Sequence, residues 1–420
     1  MRVLIVNTSE RIGGAAIAAN RLMEALNNNG VKAKMLVRDK QTDHVAVVPL
    51  ERSWMHAVKF VWERFLIWKA NRFHRHKLFE VDLANVGTDI TSLPEFRDAD
   101  VIHLHWINQG FLSLKDIGRI LQSGKPVVWT MHDMWCFTGI CHYSGNCTRY
   151  QRECHHCPLL YTGGSKNDIS RQVFALKRQL LSEADIRFVA CSQWLETLAK
   201  GSSLLEGKDV CSIPNAINTN LFHPMNKQAA REKLHLPADK RLLLFGSLKI
   251  TDKRKGVDYL VDACRWIQDK YPDLNGHLAI VTMGKAGEEM RHLFPFPVYD
   301  LEYVSAERAL VDVYNAVDLY VTPSLQDNLP NTIVEAMACG VPCVGFQTGG
   351  IPQMIDHLHN GYVAEYRNAQ DFANGIHWAL VEDDYDTLSE MAARKARQTY
   401  SESSVAKRYI EVYHKAMGHG

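Results

Sequence analysis

Two carboxylates and a cluster of cations are the residues of this 420-residue chain best suited to chemistry on a charged ligand. Asp327 lies in a polar loop after an apolar run, and Glu335 lies eight residues later in a helical pattern. Four cations fall between Lys249 and Lys255, within residues 246–256, which we call the basic loop. Carboxylates can hold the hydroxyl groups of an extended ligand, and clustered cations can clamp a diphosphate. The cations alone would equally suit a solvated surface loop.

Histidine and glycine residues follow two other apolar runs. His132 and Asp133 come at the end of one run, and Gly13 and Gly14 open a helical pattern after another. Glycines let the backbone approach a ligand, and a helix N-terminus favours an anion. The Gly-x-Gly-x-x-Gly spacing is absent from this stretch, which weighs against a dehydrogenase. A single histidine after a strand is also often only a structural hydrogen-bond partner.

A cysteine-rich insertion is predicted at residues 136–157, which contain five of the ten cysteines. Four of them have the spacing Cys141-x5-Cys147-x6-Cys154-x2-Cys157. Four thiolates at such spacings can close a tetrahedral zinc site, although only one Cys-x-x-Cys pair is present. Structural zinc, reduced thiols and a disulfide all remain open, and no catalytic metal is expected.

The segment 52–77 departs from the rest of the chain in composition. It has seven Lys or Arg and one acid, with six Trp or Phe interleaved. A basic helix with aromatic residues is a candidate for peripheral contact with an anionic membrane surface. The alternative is a helix that packs its aromatic side chains on a sheet and leaves its charges in water.

These residues need elements to position them, and short β-branched runs alternate with longer amphipathic stretches such as Ala15–Leu26. Several runs are apolar throughout, as expected of parallel strands buried on both faces. Ligands bind at the carboxyl ends of such strands, where the residues above fall. The predicted strands are Val3–Asn7, Val31–Val37, Val101–His105, Pro126–His132, Arg187–Ser192, Val210–Pro214, Arg241–Gly246, His277–Met283, Leu319–Pro323 and Pro342–Phe346.

The repeated strand and helix alternation predicts two doubly wound α/β domains. We place the first at residues 1–190 and the second at residues 191–398. Residues 399–420 contain a helical pattern with Tyr409 and Tyr413 on one face, and this closing helix is expected to return to the first domain.

Composition excludes several classes of protein. Lys and Arg number 48 against 47 Asp and Glu, so no overall basic field for nucleic acid is expected. No apolar run reaches the roughly 18 to 20 residues that span a bilayer. The N-terminus leads into the strand Val3–Asn7 and not into a secretory signal, so we expect a cytoplasmic protein.

The region 327–342 resembles the donor-binding motif of family 4 retaining glycosyltransferases, which have the GT-B fold. That family typically has Glu-x7-Glu followed by Ala-Met-Ala-x-Gly-x-Pro, and this chain has Asp327 and then Glu335-Ala-Met-Ala-Cys-Gly-Val-Pro342. Gly13-Gly14, His132-Asp133 and Arg254-Lys255-Gly256 agree along most of the chain. Bacterial enzymes of surface-polysaccharide biosynthesis are similar in this way.

The resemblance implies two Rossmann-like domains facing across a cleft and transfer of a sugar from a UDP- or GDP-linked donor with retention of configuration. Lys255 and Arg254 would neutralise the departing diphosphate, and Glu335 would bind the ribose. Asp327 and His132 would act on the sugar or the acceptor. The remaining implied donor-binding residues are Gly13, Gly14, Asn328, Leu329 and Thr332.

The resemblance also implies a saccharide or lipid-linked acceptor, reached from the inner face of the membrane, and no cofactor required for the chemistry. Two alternatives stay open. One is another GT-B enzyme that uses a nucleotide sugar without an acceptor, such as an epimerase. The other is a zinc-dependent interaction module with a vestigial site.

Overall fold

The computed structural model describes residues 1–51, 54–382 and 384–418. The chain forms two compact units. The first contains Met1–Pro214 and Val405–Gly420, and the second contains Asn215–Ser404. Both are α/β units with a parallel sheet, which agrees with the predicted fold class.

The first unit has a seven-stranded sheet among its described residues, in the order β3-β2-β1-β4-β5-β6-β7. Its strands are β1 (Arg2–Ser9), β2 (Lys32–Asp39), β3 (Val47–Pro49), β4 (Val101–Leu104), β5 (Val127–Met131), β6 (Ile186–Ala190) and β7 (Val210–Ser212). Its helices before residue 215 are α1 (Gly14–Asn28), α2 (Trp54–Ala70), α3 (Pro94–Asp98), α4 (Leu114–Gln122), α5 (Ile169–Ser182) and α6 (Gln193–Lys200).

The second unit has a six-stranded sheet among its described residues, in the order β10-β9-β8-β11-β12-β13. Its strands are β8 (Arg241–Lys249), β9 (Leu278–Lys285), β10 (Val298–Asp300), β11 (Leu319–Thr322), β12 (Cys343–Phe346) and β13 (Gly361–Ala364). Its helices are α7 (Lys227–Lys233), α8 (Val257–Lys270), α9 (Glu307–Ala316), α10 (Asn331–Ala338), α11 (Ile351–Met354), α12 (Ala369–His377) and α13 (Tyr385–Lys395).

Burial explains why the apolar runs became strands. Every residue of β5, β11 and β12 is buried, as in sheets covered on both faces. All ten predicted strands are present, with ends displaced by up to three residues. The sequence pattern missed β3, β10 and β13, which have three or four residues each and lie at sheet edges.

The predicted domain boundary near residue 190 is wrong. Val210–Pro214 was expected to begin the second domain, but Val210 pairs in parallel with Phe188 as part of the first sheet. The first unit therefore continues to Pro214, about 24 residues beyond the predicted boundary. A strand's sheet is decided by its hydrogen-bonding neighbour, which a local pattern does not contain.

The C-terminal helix α14 (Glu402–Ala416) belongs to the first unit from Val405 onward. Its Tyr413 hydroxyl lies 2.8 Å from Nδ1 of His103, and its Tyr409 hydroxyl lies 3.0 Å from Oγ1 of Thr130. The last two residues of the predicted closing helix, 419 and 420, lie outside the described residues.

Candidate functional site

In the second unit, the carboxyl ends of the neighbouring strands β8 and β11 bring Lys255 and Asp327 together. Lys255 lies at the end of a single 3-10 turn, Lys253–Lys255, after β8. Asp327 lies in the loop between β11 and α10. The Lys255 Nζ atom is 2.5 Å from Oδ2 of Asp327, with both side chains partly buried. Two predicted site residues 72 positions apart therefore form one ion pair.

Gly256 allows the loop after β8 and the loop after β11 to pack closely against each other. Its φ of +69° is left-handed, and a Cβ atom at this position would lie 2.0 Å from the carbonyl oxygen of Pro323. The Leu325 amide also donates to the carbonyl oxygen of Arg254 at 2.7 Å. Glycine is the residue that tolerates both the conformation and the close approach. The position of Lys255 against Asp327 thus depends on backbone contacts as well as on charge.

A third loop packs against Asp327 and was missed by the sequence analysis. Gly349 follows β12 with a φ of +56°, and a Cβ atom there would lie 1.6 Å from the carbonyl oxygen of Asp327. The available signal was the Gly349-Gly350 pair directly after a strand. Such a pair marks a turn or a close backbone approach.

Arg254 pairs with a different carboxylate from the one that its neighbour Lys255 contacts. Its guanidinium bonds to Asp252 Oδ2 at 2.9 Å, and its side chain is more than half exposed. Burial acts to raise the pKa of Asp252, but the hydrogen bonds and charge of Arg254 outweigh it and hold that pKa below its usual range. Asp252 also accepts the Arg254 amide at 3.0 Å and so caps the turn that carries Lys255.

Glu335 is buried within α10. Its Oε2 atom accepts a hydrogen bond of 2.6 Å from the hydroxyl of Tyr314 on α9. Burial, followed by the charge of Glu335, raises the pKa of Tyr314 well above its usual value. The phenol therefore remains a hydrogen-bond donor to this carboxylate.

The other predicted donor-binding residues of the second unit surround the start of α10. Asn328 and Leu329 are buried just before the helix. Thr332, in its first turn, accepts a hydrogen bond of 2.7 Å from the hydroxyl of Tyr320. Tyr320 belongs to β11, so the strand fixes the side of the helix that faces it.

In the first unit, Gly13 and Gly14 lie between β1 and α1, as predicted. Gly13 has a φ of +91°, while a Cβ atom there would meet nothing within 4 Å. The requirement for glycine is therefore one of backbone conformation and not of space. The buried carboxylate of Glu10 fixes the same loop by accepting the amides of Gln41 at 2.6 Å and Thr42 at 2.9 Å.

His132 lies at the carboxyl end of β5 between two other side chains. Its Nε2 atom is 2.9 Å from Nδ1 of His105, and its Nδ1 atom is 3.4 Å from the Cys191 sulfur. Burial lowers the pKa of His132 to about 4, and the Asp133 charge opposes this only in part. His132 is thus a neutral imidazole near pH 7, which can take part in hydrogen bonds but is a weak base.

A buried network behind His132 was not predicted. Asp133 accepts from the Trp106 indole at 2.9 Å, and its Oδ2 atom lies 2.7 Å from Nδ1 of His142. The other ring nitrogen of His142 lies 2.6 Å from Asp82. Asp82 pairs in turn with Arg64 of α2. The chain of contacts joins the end of β5 to the basic aromatic segment.

That segment exposes its aromatic face and buries part of its charge. Trp54, Val58, Val61, Trp62 and Phe65 share one face of α2 and are 41% to 79% exposed. On the rest of the helix, Glu63, Arg64 and Ile67 are buried. The alternative in which the aromatic residues pack on the sheet is wrong for this face. Arg52, the first of the predicted cations, lies outside the described residues.

The four cysteines with metal-ligand spacing line one cavity of about 20 Å³ in the loop before α5. All ten cysteines are free thiols. Among the residues that the structure describes, no three His, Cys, Asp or Glu side chains are placed to hold a metal ion. The zinc assignment therefore stays a prediction.

Within residues 1–51, 54–382 and 384–418, no helix is both long enough and apolar enough to cross a bilayer.

Two family profiles match the chain. The profile described as Glycosyltransferase Family 4 covers residues 12–221, which is half of the chain, and the profile described as Glycosyl transferases group 1 covers residues 239–382. The first match lies mainly on the first unit and the second match lies within the second unit.

Curated relatives include a D-inositol 3-phosphate glycosyltransferase of Thermobispora bispora, 27% identical over 76% of this chain and 71% of that protein. The putative colanic acid biosynthesis glycosyl transferase WcaC of Escherichia coli K12 is 25% identical over 74% of this chain and 76% of that protein.

Solved structures show the same fold at low identity. A sucrose-phosphate synthase of Thermosynechococcus elongatus superposes with a TM-score of 0.68 at 17% identity, with both chains fully covered. HepE of Anabaena, solved with UDP-glucose, gives 0.64 at 16% identity over 99% of this chain and all of that chain. The chain is a glycosyltransferase that belongs to family 4 and has the two Rossmann-like sheets of the GT-B fold.

Proposed function

We propose that the chain transfers a sugar from a UDP- or GDP-linked donor to a saccharide acceptor carried on a lipid, with retention of anomeric configuration, in the biosynthesis of a surface polysaccharide. The observation that carries this proposal is the Lys255 and Asp327 pair, held by interlocked loops at the carboxyl ends of β8 and β11. Ligands of open parallel sheets bind at this edge. The HepE structures with UDP and the colanic acid relative WcaC support the donor and the pathway class.

The proposed roles of the site residues in binding the nucleotide-sugar donor follow from their charges. A departing nucleoside diphosphate gains negative charge in the transition state, and the Lys255 ammonium is paired with Asp327 in the loop that carries the predicted sugar contacts. Arg254 would add a second cation after leaving Asp252. Asp327 and the amides at 328–332 would hold sugar hydroxyls, and Glu335, steadied by Tyr314, would accept hydrogen bonds from the ribose.

The proposed step breaks the bond between the anomeric carbon and the diphosphate oxygen. A bond from the same carbon to the acceptor hydroxyl oxygen forms on the same face of the sugar. The hydroxyl proton passes to the leaving diphosphate, so the products are a nucleoside diphosphate and a glycoside with unchanged anomeric configuration. No protein nucleophile is required by this balance.

The membrane part of the proposal rests on α2. An apolar stripe of aromatic and branched residues faces outward, and Lys69, Arg72 and Arg75 beside it are exposed. Aromatic rings and cations together suit the headgroup region of an anionic bilayer. The buried Glu63 accepts the amides of Leu83 and Ala84, which fixes the orientation of the stripe.

Thermal-shift measurements with nucleotides test the donor site. UDP or GDP at 100 times its dissociation constant should add about 2.7 kcal/mol to the free energy of unfolding and raise the Tm. Lys255→Ala and Glu335→Ala should lose this shift. Lys253→Ala, a matched change at an exposed lysine of the same turn, should retain it.

Three outcomes would contradict the proposal. One is a Tm that no nucleotide raises, and another is equal loss of the shift in Lys253→Ala and Lys255→Ala. The third is conversion of the donor sugar at an undiminished rate without any acceptor, which would favour an epimerase-like enzyme. NMR of the anomeric proton in the glycoside decides between retention and inversion.

Vesicle sedimentation tests the membrane contact. The chain should bind vesicles rich in phosphatidylglycerol more than vesicles of phosphatidylcholine, and added salt should weaken binding. The double substitution Trp62→Ser and Phe65→Ser should reduce binding. Leu176→Ser, at a side chain on α5 that is 55% exposed, is the control and should bind as the wild type does. Equal binding by the wild type and both variants would exclude α2 as the contact.

A further inference from the structure

Four thiols from separate turns of one loop meet around a single small cavity. Cys141, Cys147, Cys154 and Cys157 all line a space of about 20 Å³, between β5 and α5. Regular structure in this loop is limited to short turns, such as the 3-10 turn Arg149–Gln151. A space of this size holds one water molecule or one ion. The nearby buried thiol of Cys136 is not among the residues that line it.

Backbone groups around the cavity are directed at the sulfur atoms. The Gly139 amide donates to the Cys154 sulfur, and the amides of Leu159 and Leu160 donate to the Cys157 sulfur. A Cβ atom at Gly139 would lie 2.7 Å from the Ser170 carbonyl oxygen and 3.1 Å from the Cys154 Cβ. The close packing at Gly139 thus holds its amide against Cys154. Burial raises the pKa of Cys154 to about 12 and that of Cys157 to about 11, and these amide donors oppose the rise only in part.

A buried lysine lies near the cavity, and burial lowers the pKa of this Lys177 to about 7. The Lys177 ammonium is buried on α5 and donates to the carbonyl oxygens of Trp135 at 2.5 Å and Thr138 at 3.0 Å. It also lies 3.5 Å from the centre of the Trp135 ring. Among the described residues it forms no ion pair with a carboxylate, and its electrostatic partners are Cys136, Cys141, Cys154 and the carboxylate of Asp133. Buried charges in proteins are normally compensated by an opposite charge.

We infer that Cys141, Cys147, Cys154 and Cys157 bind one structural zinc ion. The observation that carries this inference is the single cavity that all four thiols line. On binding, four thiols release four protons and form a complex with a net charge of −2, close to the buried Lys177. The thiols line the cavity but are not placed at ligand distances as they stand, so they must rotate inward to sulfur–zinc distances of about 2.3 Å. A complete set of four protein ligands leaves no open position, so the ion would shape the loop and take no part in glycosyl transfer.

Metal content of the full-length chain tests this inference. After purification and dialysis, elemental analysis by mass spectrometry should find one zinc per wild-type chain. Cys154→Ser and Cys157→Ser should lose the zinc, and Cys136→Ser, the matched control, should keep it. Substoichiometric zinc in the wild type, with all ten thiols reactive or with a disulfide in the intact mass, would overturn the inference. Equal zinc in all four proteins would overturn it as well.

A second measurement avoids variants that fail to fold. Chelator-treated wild-type chain is titrated with Co²⁺ and its absorption spectrum is followed. One equivalent should produce thiolate-to-cobalt charge-transfer absorption and the strong visible bands of tetrahedral cobalt, which Zn²⁺ should then abolish. A weak octahedral spectrum, or none, would contradict a four-thiolate site. The result does not depend on whether the nucleotide site functions as proposed.

Discussion

Single residues of the first unit show how burial sets protonation. His103 on β4 lies between Tyr413 and Thr130, with ring nitrogens 2.8 and 2.7 Å from their hydroxyl oxygens. Burial, aided by the His132 charge, lowers the pKa of His103 to about 3. Burial likewise lowers the pKa of His105 well below its usual value. These three neighbouring imidazoles are therefore neutral in the folded chain at pH 7.

Acid should destabilise the chain through these histidines. Between pH 6.5 and about 4, the unfolded chain binds protons that folded His103 and His132 exclude, so the free energy of unfolding falls as the pH falls. The loss is up to about 1.4 kcal/mol per pH unit for each histidine. Urea denaturation across this pH range measures it.

A matched pair of variants separates this effect from protonation of carboxylates. His103→Gln keeps hydrogen-bonding groups without titrating, so its stability should fall less steeply with acid than that of the wild type. His292→Gln, at an exposed histidine, should follow the wild-type slope. Identical slopes for His103→Gln and the wild type would contradict this prediction, because they would show that His103 is protonated as readily in the folded chain as in the unfolded chain.

At the scale of elements, the strand ends position the donor-site residues and the turns between elements fix them. Gly256 follows the 3-10 turn Lys253–Lys255, and its backbone lies against Pro323 of the loop after β11. The ion pair of Lys255 with Asp327 depends on this contact. The turn therefore matters to the site as much as the charges that it carries.

Gly256→Ala should both destabilise the chain and weaken the nucleotide shift. Its left-handed conformation costs about 1 to 2 kcal/mol for alanine, and its Cβ would overlap the Pro323 oxygen, so the two loops must separate. Gly276→Ala is the control, because Gly276 has a φ of +83° but open space around its Cβ. In Gly276→Ala, the free energy of unfolding should fall by a comparable amount because of the left-handed backbone, and the nucleotide-induced rise in Tm should be kept. A full nucleotide shift in Gly256→Ala would show that the loop contact does not position Lys255.

At the scale of the whole molecule, the chain enters the second unit once and leaves it once. Within that unit, Ile217 and Ser401 form a parallel bridge, so the two connecting segments run side by side. After Ser404 the chain completes the first unit with α14, which buries Val405, Ala406, Tyr409 and Tyr413. The first unit is thus made from both ends of the sequence.

Ending the chain at Ser404 should destabilise the first unit in particular. Loss of two buried tyrosines alone removes about 3 to 6 kcal/mol of burial free energy and leaves His103 without its Tyr413 partner. Tryptophan emission reports mainly on this unit, because seven of the nine tryptophans belong to it and two of these, Trp129 and Trp135, lie in its core. A chain that ends at Ala416 is the control and should unfold as the full chain does. If neither truncation changed the midpoint of the unfolding transition followed by tryptophan emission, the structural role of α14 would be contradicted.

Much of the fold could be predicted from the sequence, and so could the position of several candidate site residues relative to the strands. Ten of the described strands were visible as apolar runs, and Lys255 and Asp327 follow two of them, as the pattern predicted. Both predictions rest on local patterns, and the carboxyl ends of parallel strands must share one edge of a sheet. The same reasoning found Gly13, whose left-handed backbone precedes α1.

Only the tertiary structure decided which partners these residues have. It assigned β7 to the first sheet, turned Arg254 toward Asp252, placed Tyr314 against Glu335 and linked Asp133 to Asp82 through His142. It also showed that α2 exposes its aromatic face while its Glu63 and Arg64 are buried. The sequence by itself determined the elements and the loops that carry chemistry, because periodicity is a local property. The partners depend on sheet register and packing between residues far apart in the chain, which no local pattern specifies.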